Sequence, residues 1–201
     1  MNQTDICNMA LSYLCINRIN SLEDDTQEAR ECKTHYSHCR RKLLSAYPFG
    51  FAKHIDKLAL LNQTEYAVPG WRYVYSYPEN TLSIQYVYDA EHAERKEEQQ
   101  GEYEILMINE FDRVIATNIE KAYAESIHDV KEPEIYSEEF IDALTHLLAS
   151  AIALQLTGSA NVQQTQLQLA MEGVEQAKLS SALEKNRRTH YPQKYANSRF
   201  R

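Results

Sequence analysis

Glycine is scarce in this 201-residue chain: there are five, none of them clustered. No Gly-rich phosphate loop is present, and neither a Gly-Xaa-Ser-Xaa-Gly elbow nor an HExxH motif occurs. The four cysteines, Cys7, Cys15, Cys32 and Cys39, all fall in the first forty residues. That is too few and too clustered for a disulfide framework, and buried free thiols behave as small apolar groups. No apolar run reaches the ~20 residues that span a bilayer. Met1 to Asp5 is polar and lacks the basic-then-apolar pattern of a signal peptide. The expectation is a soluble protein made in a cytoplasm, with no membrane partner.

What is present is enough apolar residue, 43%, for a packed core, and a formal charge of −8. That charge argues against general DNA binding through phosphate neutralisation. It is also unevenly placed. Residues 187–201 hold Arg187, Arg188, Lys194, Arg199 and Arg201 and no carboxylate, which leaves −13 on residues 1–186.

Hydrophobic spacing organises the chain. Residues 4–16 read as a helix capped by Thr4, with Ile6, Met9, Ala10, Tyr13 and Leu14 as its apolar stripe. A second helix is predicted from about Asp24 to Tyr47, facing inward at Ala29, Cys32, Tyr36, Cys39, Leu43 and Ala46. Its acidic start and its basic end (Arg40, Arg41, Lys42) both suit the helix macrodipole. Pro48 can open a further short helix over Phe49–Leu61. At Pro69-Gly70 the period changes from 3.6 to 2. Trp71–Tyr77 and Thr81–Tyr88 alternate as strands, with further strands expected near 103–108, 113–117 and 121–127. Residues 89–102 form a charged loop. Ser137 caps a helix to about Leu156 that is apolar nearly all round, and Gly158 suits its C-terminal cap. A last helix runs from about Ala160 to Asn186, with Val162, Leu169, Gly173 and Ala177 on one side.

The predicted fold is α+β by content and mainly α: a bundle of four or more helices with a small inserted antiparallel sheet and an extended C-terminal tail. Its parts are N-terminal helices (1–68), the sheet (69–132), C-terminal helices (133–186) and a basic tail (187–201).

Candidate chemistry is sparse. Cys32, His35, His38 and Cys39 have metal-ligand residue types, but Cys32 and Cys39 lie about 10 Å apart along one helix, so core cysteines with surface histidines are favoured over zinc. Adjacent acids such as Glu138/Glu139 or Glu97/Glu98 carry no dyad geometry. The tyrosine-rich strands are interleaved by no cation except Arg72, so packing is favoured over base stacking. No catalytic, metal or cofactor site is expected.

Three segments resemble the head-to-tail adaptors of short-tailed phages, the tail tubular or tail accessory family. Ala10–Ala52 is similar to the family's N-terminal signature, with Ile19–Leu22, an acidic cluster at Glu23–Asp25, the Glu28–Arg30 motif and the aromatic-Pro stretch Tyr47–Ala52. Pro69–Ile84 resembles its aromatic run and Tyr-Pro turn, and Glu139–Ser159 its apolar helix. Together they cover roughly half the chain, in family order. The resemblance implies a ring, usually of twelve copies, docked beneath the portal protein. Such a ring extends the DNA channel, lets genomic DNA pass without specific binding and carries the tail nozzle or tube. Subunit-interface candidates are Trp71, Tyr73, Tyr75, Glu28, Arg30, Arg40 and Arg41. The basic tail is read as portal-binding through Arg187, Arg188, Tyr191, Lys194, Tyr195, Arg199, Phe200 and Arg201, or else as a solvated end. The expected location is the virion neck, after assembly in the host cytoplasm. A virion-borne peptidoglycan hydrolase and a non-phage helical scaffold are the alternatives.

Overall fold

The computed structural model describes residues 1–62, 64–89, 101–108 and 111–184. Among them are four α-helices and six strands in two small antiparallel sheets, an α+β chain. The predicted acidic loop, apart from its ends, and the predicted extended tail lie outside the described residues.

Helix α1 (Gln3–Tyr13) is capped by Asn2 rather than Thr4. The Asn2 side chain accepts from Asp5 N at 2.9 Å while the Asp5 carboxylate accepts from Asn2 N at 2.8 Å, a reciprocal capping box. Asn8 then accepts from Ile19 N and donates to Ile19 O, at 2.9 and 3.0 Å, folding the following loop back onto α1. Helix α2 (Gln27–Ala46) is capped by Thr26. Its buried face runs through Ala29, Cys32, Tyr36, Cys39, Arg40, Leu43 and Leu44, while Ala46 is exposed. Helix α3 (Glu138–Thr157) starts at the predicted Ser137 cap and ends at Gly158, whose φ of 67° only glycine adopts readily. Helix α4 (Ala160–Leu183) follows at once, capped by Ser159.

α3 is the centre of the helical core, packed on α4, α2 and α1. By length and composition α3 could cross a membrane; its burial in the bundle uses the same apolar surface. Phe140, Leu144, Leu148, Ala149, Ile152 and Ala153 are fully buried. Between α1 and α2 the Cys7 and Cys32 thiols meet; their hydrogen bond and burial hold Cys7 protonated, far above the usual thiol range.

The predicted helix over Phe49–Leu61 does not form. A single 3-10 turn (Gly50–Ala52) leads into strand β1 (Lys53–Lys57). The cause is cross-strand pairing with β6 (Ala122–His128): Lys53 pairs with Glu125, and Asp56 accepts from Ser126 Oγ at 2.7 Å and meets His128 Nε2 at 3.0 Å. The strand-bearing region therefore begins at residue 53 rather than 69. The expected single sheet is two sheets. One has the order β1, β6, β3 (Thr81–Asp89). The other has the order β2 (Tyr73–Ser76), β5 (Asp112–Thr117), β4 (Tyr103–Ile108). They share a second core in which Leu58, Ile84, Val87, Ala122 and Ala124 of the first meet Tyr75 and Ile115 of the second. Ile127 and Val130 join the helical core and tie the two regions together.

On α4 the inward positions are Gln166, Ala170, Gly173, Ala177 and Ser181, all small except the glutamine. A Cβ on Gly173 would stand 3.2 Å from Ala143 Cα of α3, so the two helix backbones approach closely there. Gly173→Leu should cost about 1–3 kcal/mol by forcing them apart. An unchanged urea midpoint would show that the contact has slack. A second expectation concerns alkaline pH. Burial pushes the Cys39 thiol from 9.0 up to about 11 and the Tyr136 phenol from 10.0 up to about 12. Above pH 9 the unfolded chain loses these protons while the folded chain keeps them, so stability is full below pH 9 and falls as pH climbs toward 11 and 12. A thermal midpoint that stays flat to pH 11, followed by calorimetry, would contradict this.

Candidate functional site

Two surface features remain once the cores are accounted for. The first is a groove of about 550 Å³ between the C-terminal half of α2, the Tyr77–Leu82 turn and the Asp129–Lys131 loop. Its floor is Asp129, whose carboxylate accepts from Arg40 Nη2 at 2.7 Å and Arg41 Nε at 3.1 Å. The Arg40 side chain is 7% exposed, so this is a buried pair, and its Nε has no hydrogen-bond partner. Asp129 is therefore its charge compensation within the fold. Arg41 leans on the same carboxylate from solvent. On the opposite wall Arg113 lies 3.9 Å over the Tyr77 ring, a cation–π contact, and Lys131 completes the rim. Among the described residues neither Arg113 nor Lys131 forms an ion pair, so four cations face one carboxylate.

The second feature is a ridge on the outer face of α4. Leu167, Met171, Leu179 and Leu183 recur every four residues, interrupted only by Glu175, and are 41, 65, 66 and 85% exposed. Such a row is the ridge that one helix presents to the groove of another. Large apolar residues face out and small ones face in, the reverse of an ordinary surface helix.

The proposed interface residues divide. Tyr75 is 2% exposed and its hydroxyl donates to Ile119 O and Glu120 O, so it belongs to the chain's own core. Arg40 is likewise spent internally on Asp129. Tyr73 packs partly buried against the inter-sheet core, and Trp71 Nε1 donates to Glu104 at 3.1 Å. Glu28 and Arg30 remain at the surface start of α2, where Arg30 pairs with Asp25, and Arg41 stays accessible on the groove. The structure brings Arg40 and Arg41 together and leaves Trp71, Tyr73 and Tyr75 on another element. The eight portal-binding candidates, Arg187, Arg188, Tyr191, Lys194, Tyr195, Arg199, Phe200 and Arg201, lie outside the described residues.

Among the described residues no three His, Cys, Asp or Glu side chains are placed to share a metal ion. Cys32 turns to Cys7, Cys39 is buried toward α3, and His35 sits by Glu31. Glu139 accepts from Ser180 Oγ at 3.2 Å, a contact between α3 and α4.

Two features escaped the sequence reading. Asp129 carried no local signal, because its partners stand 88 and 89 residues away. The α4 ridge had a signal, the four-residue recurrence of Leu and Met, beside the side of Val162, Leu169, Gly173 and Ala177, of which Leu169 is exposed. Asp129→Ala should cost about 3–5 kcal/mol in chemical denaturation by stranding Arg40. Arg41→Ala, at an exposed guanidinium, should stay within about 1 kcal/mol; equal costs would mean Arg40 is not the buried partner that matters. No protein-family model and no curated protein matches the chain.

Proposed function

We propose that this chain is a structural subunit of a head-to-tail adaptor ring, a non-enzymatic component of a phage neck. In this reading it sits beneath the portal protein, extends the channel through which genomic DNA passes unbound, and carries the tail nozzle or tube. The fold is read as a mainly helical body with the β region, 53–128, inserted between α2 and α3. The observation that carries the proposal is the α4 ridge. A helix that spends its small residues on its own core and turns Leu167, Met171, Leu179 and Leu183 outward is built to be covered. Exposed apolar rows of this kind mark association surfaces. The charge balance supports the same reading, since −13 on residues 1–186 repels a DNA backbone rather than gripping it. The basic residues after 186 then dock to the portal, and assembly takes place in the host cytoplasm before the subunit becomes part of the virion.

Electron microscopy of the purified chain mixed with portal from the same phage tests this. A ring stacked on the portal is expected, twelve-fold by family resemblance, with the chain alone monomeric at about 0.15 M salt, where surface charges are screened beyond about 8 Å. Met171→Glu/Leu179→Glu should keep its circular dichroism yet leave the portal bare, and deletion of 187–201 should weaken docking. Full ring occupancy with both changes would remove ridge and tail from the mechanism.

A further inference from the structure

The groove around Asp129 is not used by the fold beyond its floor. Four cations, Arg40, Arg41, Arg113 and Lys131, face one carboxylate, a surplus of three positive charges on a chain whose formal charge is −8. The other end of the same helix has the opposite excess. Glu23, Asp24, Asp25, Glu28 and Glu31 stand against Arg30 and Lys33, a surplus of three negative charges. From Glu28 to Arg40 the two poles are separated by about 18 Å of rigid helix at ~1.5 Å per residue.

We infer that the basic groove of one copy receives the acidic start of α2 from the next copy, a head-to-tail contact. This rests on the adaptor reading and names which surfaces meet in its ring. Three observations carry it. The charges are equal and opposite. Each pole is built on one end of α2, with Glu23–Asp25 in the turn before it and Arg113 and Lys131 brought to its far end by β5 and the Asp129–Lys131 loop, so every copy presents both halves of the contact. And both halves are available: Asp25 and Glu23 pair with Arg30 and Lys33 only at exposed sites, where ion pairs are weak and exchange readily. Arg113 is held over the Tyr77 ring and Lys131 has no ion-pair partner among the described residues, so the groove is preset rather than assembled on contact. A nucleic acid is the poorer occupant. The groove is a short pocket and not a stripe that tracks a backbone, and the rest of the chain is acidic. Because the two halves of the contact are different surfaces, it is heterologous, and repetition of one such contact closes into a ring when its rotation allows.

The test is sedimentation velocity of the full chain without portal at about 0.01 M salt, where the Debye length is about 30 Å. The wild-type sedimentation coefficient should rise with concentration, beyond that of a dimer, and the rise should vanish at about 0.5 M salt, where charges are screened within a few ångströms. Arg113→Glu/Lys131→Glu and Glu23→Lys/Asp25→Lys alter exposed side chains and should retain the wild-type circular dichroism. Each alone should stay monomeric, because its two poles then carry the same sign, and an equimolar mixture of the two should associate again, because the unchanged groove of one variant meets the unchanged corner of the other. A wild-type chain that stays monomeric, either variant associating like wild type, a mixture that stays monomeric, or association that stops at a dimer would overturn the inference. A bare portal beside normal salt-sensitive association would count against the adaptor reading instead.

Discussion

Helix α3 needs cover on nearly every side, and that requirement shapes the rest of the molecule. Ten of its residues are buried, on faces that look toward α1, α2 and α4. Fully burying a Leu, Ile or Phe side chain is worth about 1.5–3 kcal/mol, so leaving any one face of α3 open would cost a large part of a typical domain's stability. α1 and α2 close two sides with conventional apolar stripes. α4 closes the third by coming near enough that Gly173 meets Ala143 backbone to backbone. That closeness demands small residues on its inner face, and Ala170, Gly173, Ala177 and Ser181 supply them. The inner face of α4 thus gains packing density and loses apolar bulk, while its larger apolar residues stand outside. The ridge of Leu167, Met171, Leu179 and Leu183 is the other side of the packing that seals α3.

The β region is attached to this body at a polar joint. Asp129 follows strand β6 and reaches both Arg40 and Arg41 of α2, while Ile127 and Val130 on either side enter the helical core. Tyr136 donates to Val130 O at 2.7 Å, locking the same loop from below. A buried ion pair adds little net stability compared with apolar packing, yet it is directional. It fixes where the sheets sit on α2, and with them the Tyr77–Leu82 turn that makes the other wall of the groove. The joint and the groove share residues for this reason: the element that orients the β region also leaves an excess of positive charge at the seam.

How much of this was legible beforehand depends on the range of the interaction. Helix ends were readable because caps are local: Ser137 and Gly158 stand where they were expected, whereas Thr4 gave way to Asn2 because Asp5 completes a reciprocal pair. The inner stripe of α2 was followed correctly to Leu43 and missed at Ala46, since a strict three-four spacing drifts from a straight 3.6-residue helix and brings Arg40 and Leu44 inward while Ala46 turns out. Lys53–Lys57 is five residues long and mostly polar, too short to declare a period. It became a strand only because β6, seventy residues later, offers Glu125 and Ser126 as partners. The split into two sheets has the same origin: alternation identifies strands, but pairing is decided by distant neighbours.

The two surfaces left over differ in how they act with distance, and that difference suits assembly. Charge complementarity reaches across a Debye length, so it orients an approaching copy and raises encounter rate more than it adds affinity. An apolar ridge has no such reach but gains free energy in proportion to the area it loses to water. A subunit whose polar contact is weak stays dispersed where salt screens that contact, because association must first overcome lost translational and rotational freedom. A template that holds copies side by side removes most of that cost at once, raising their effective concentration for each other. In the proposed ring the groove around Asp129 would select the register between neighbours and the α4 ridge would supply the hold. Association that depends on a template would then follow from the packing of α3 and the charge left at its seam, with no conformational change required of the chain.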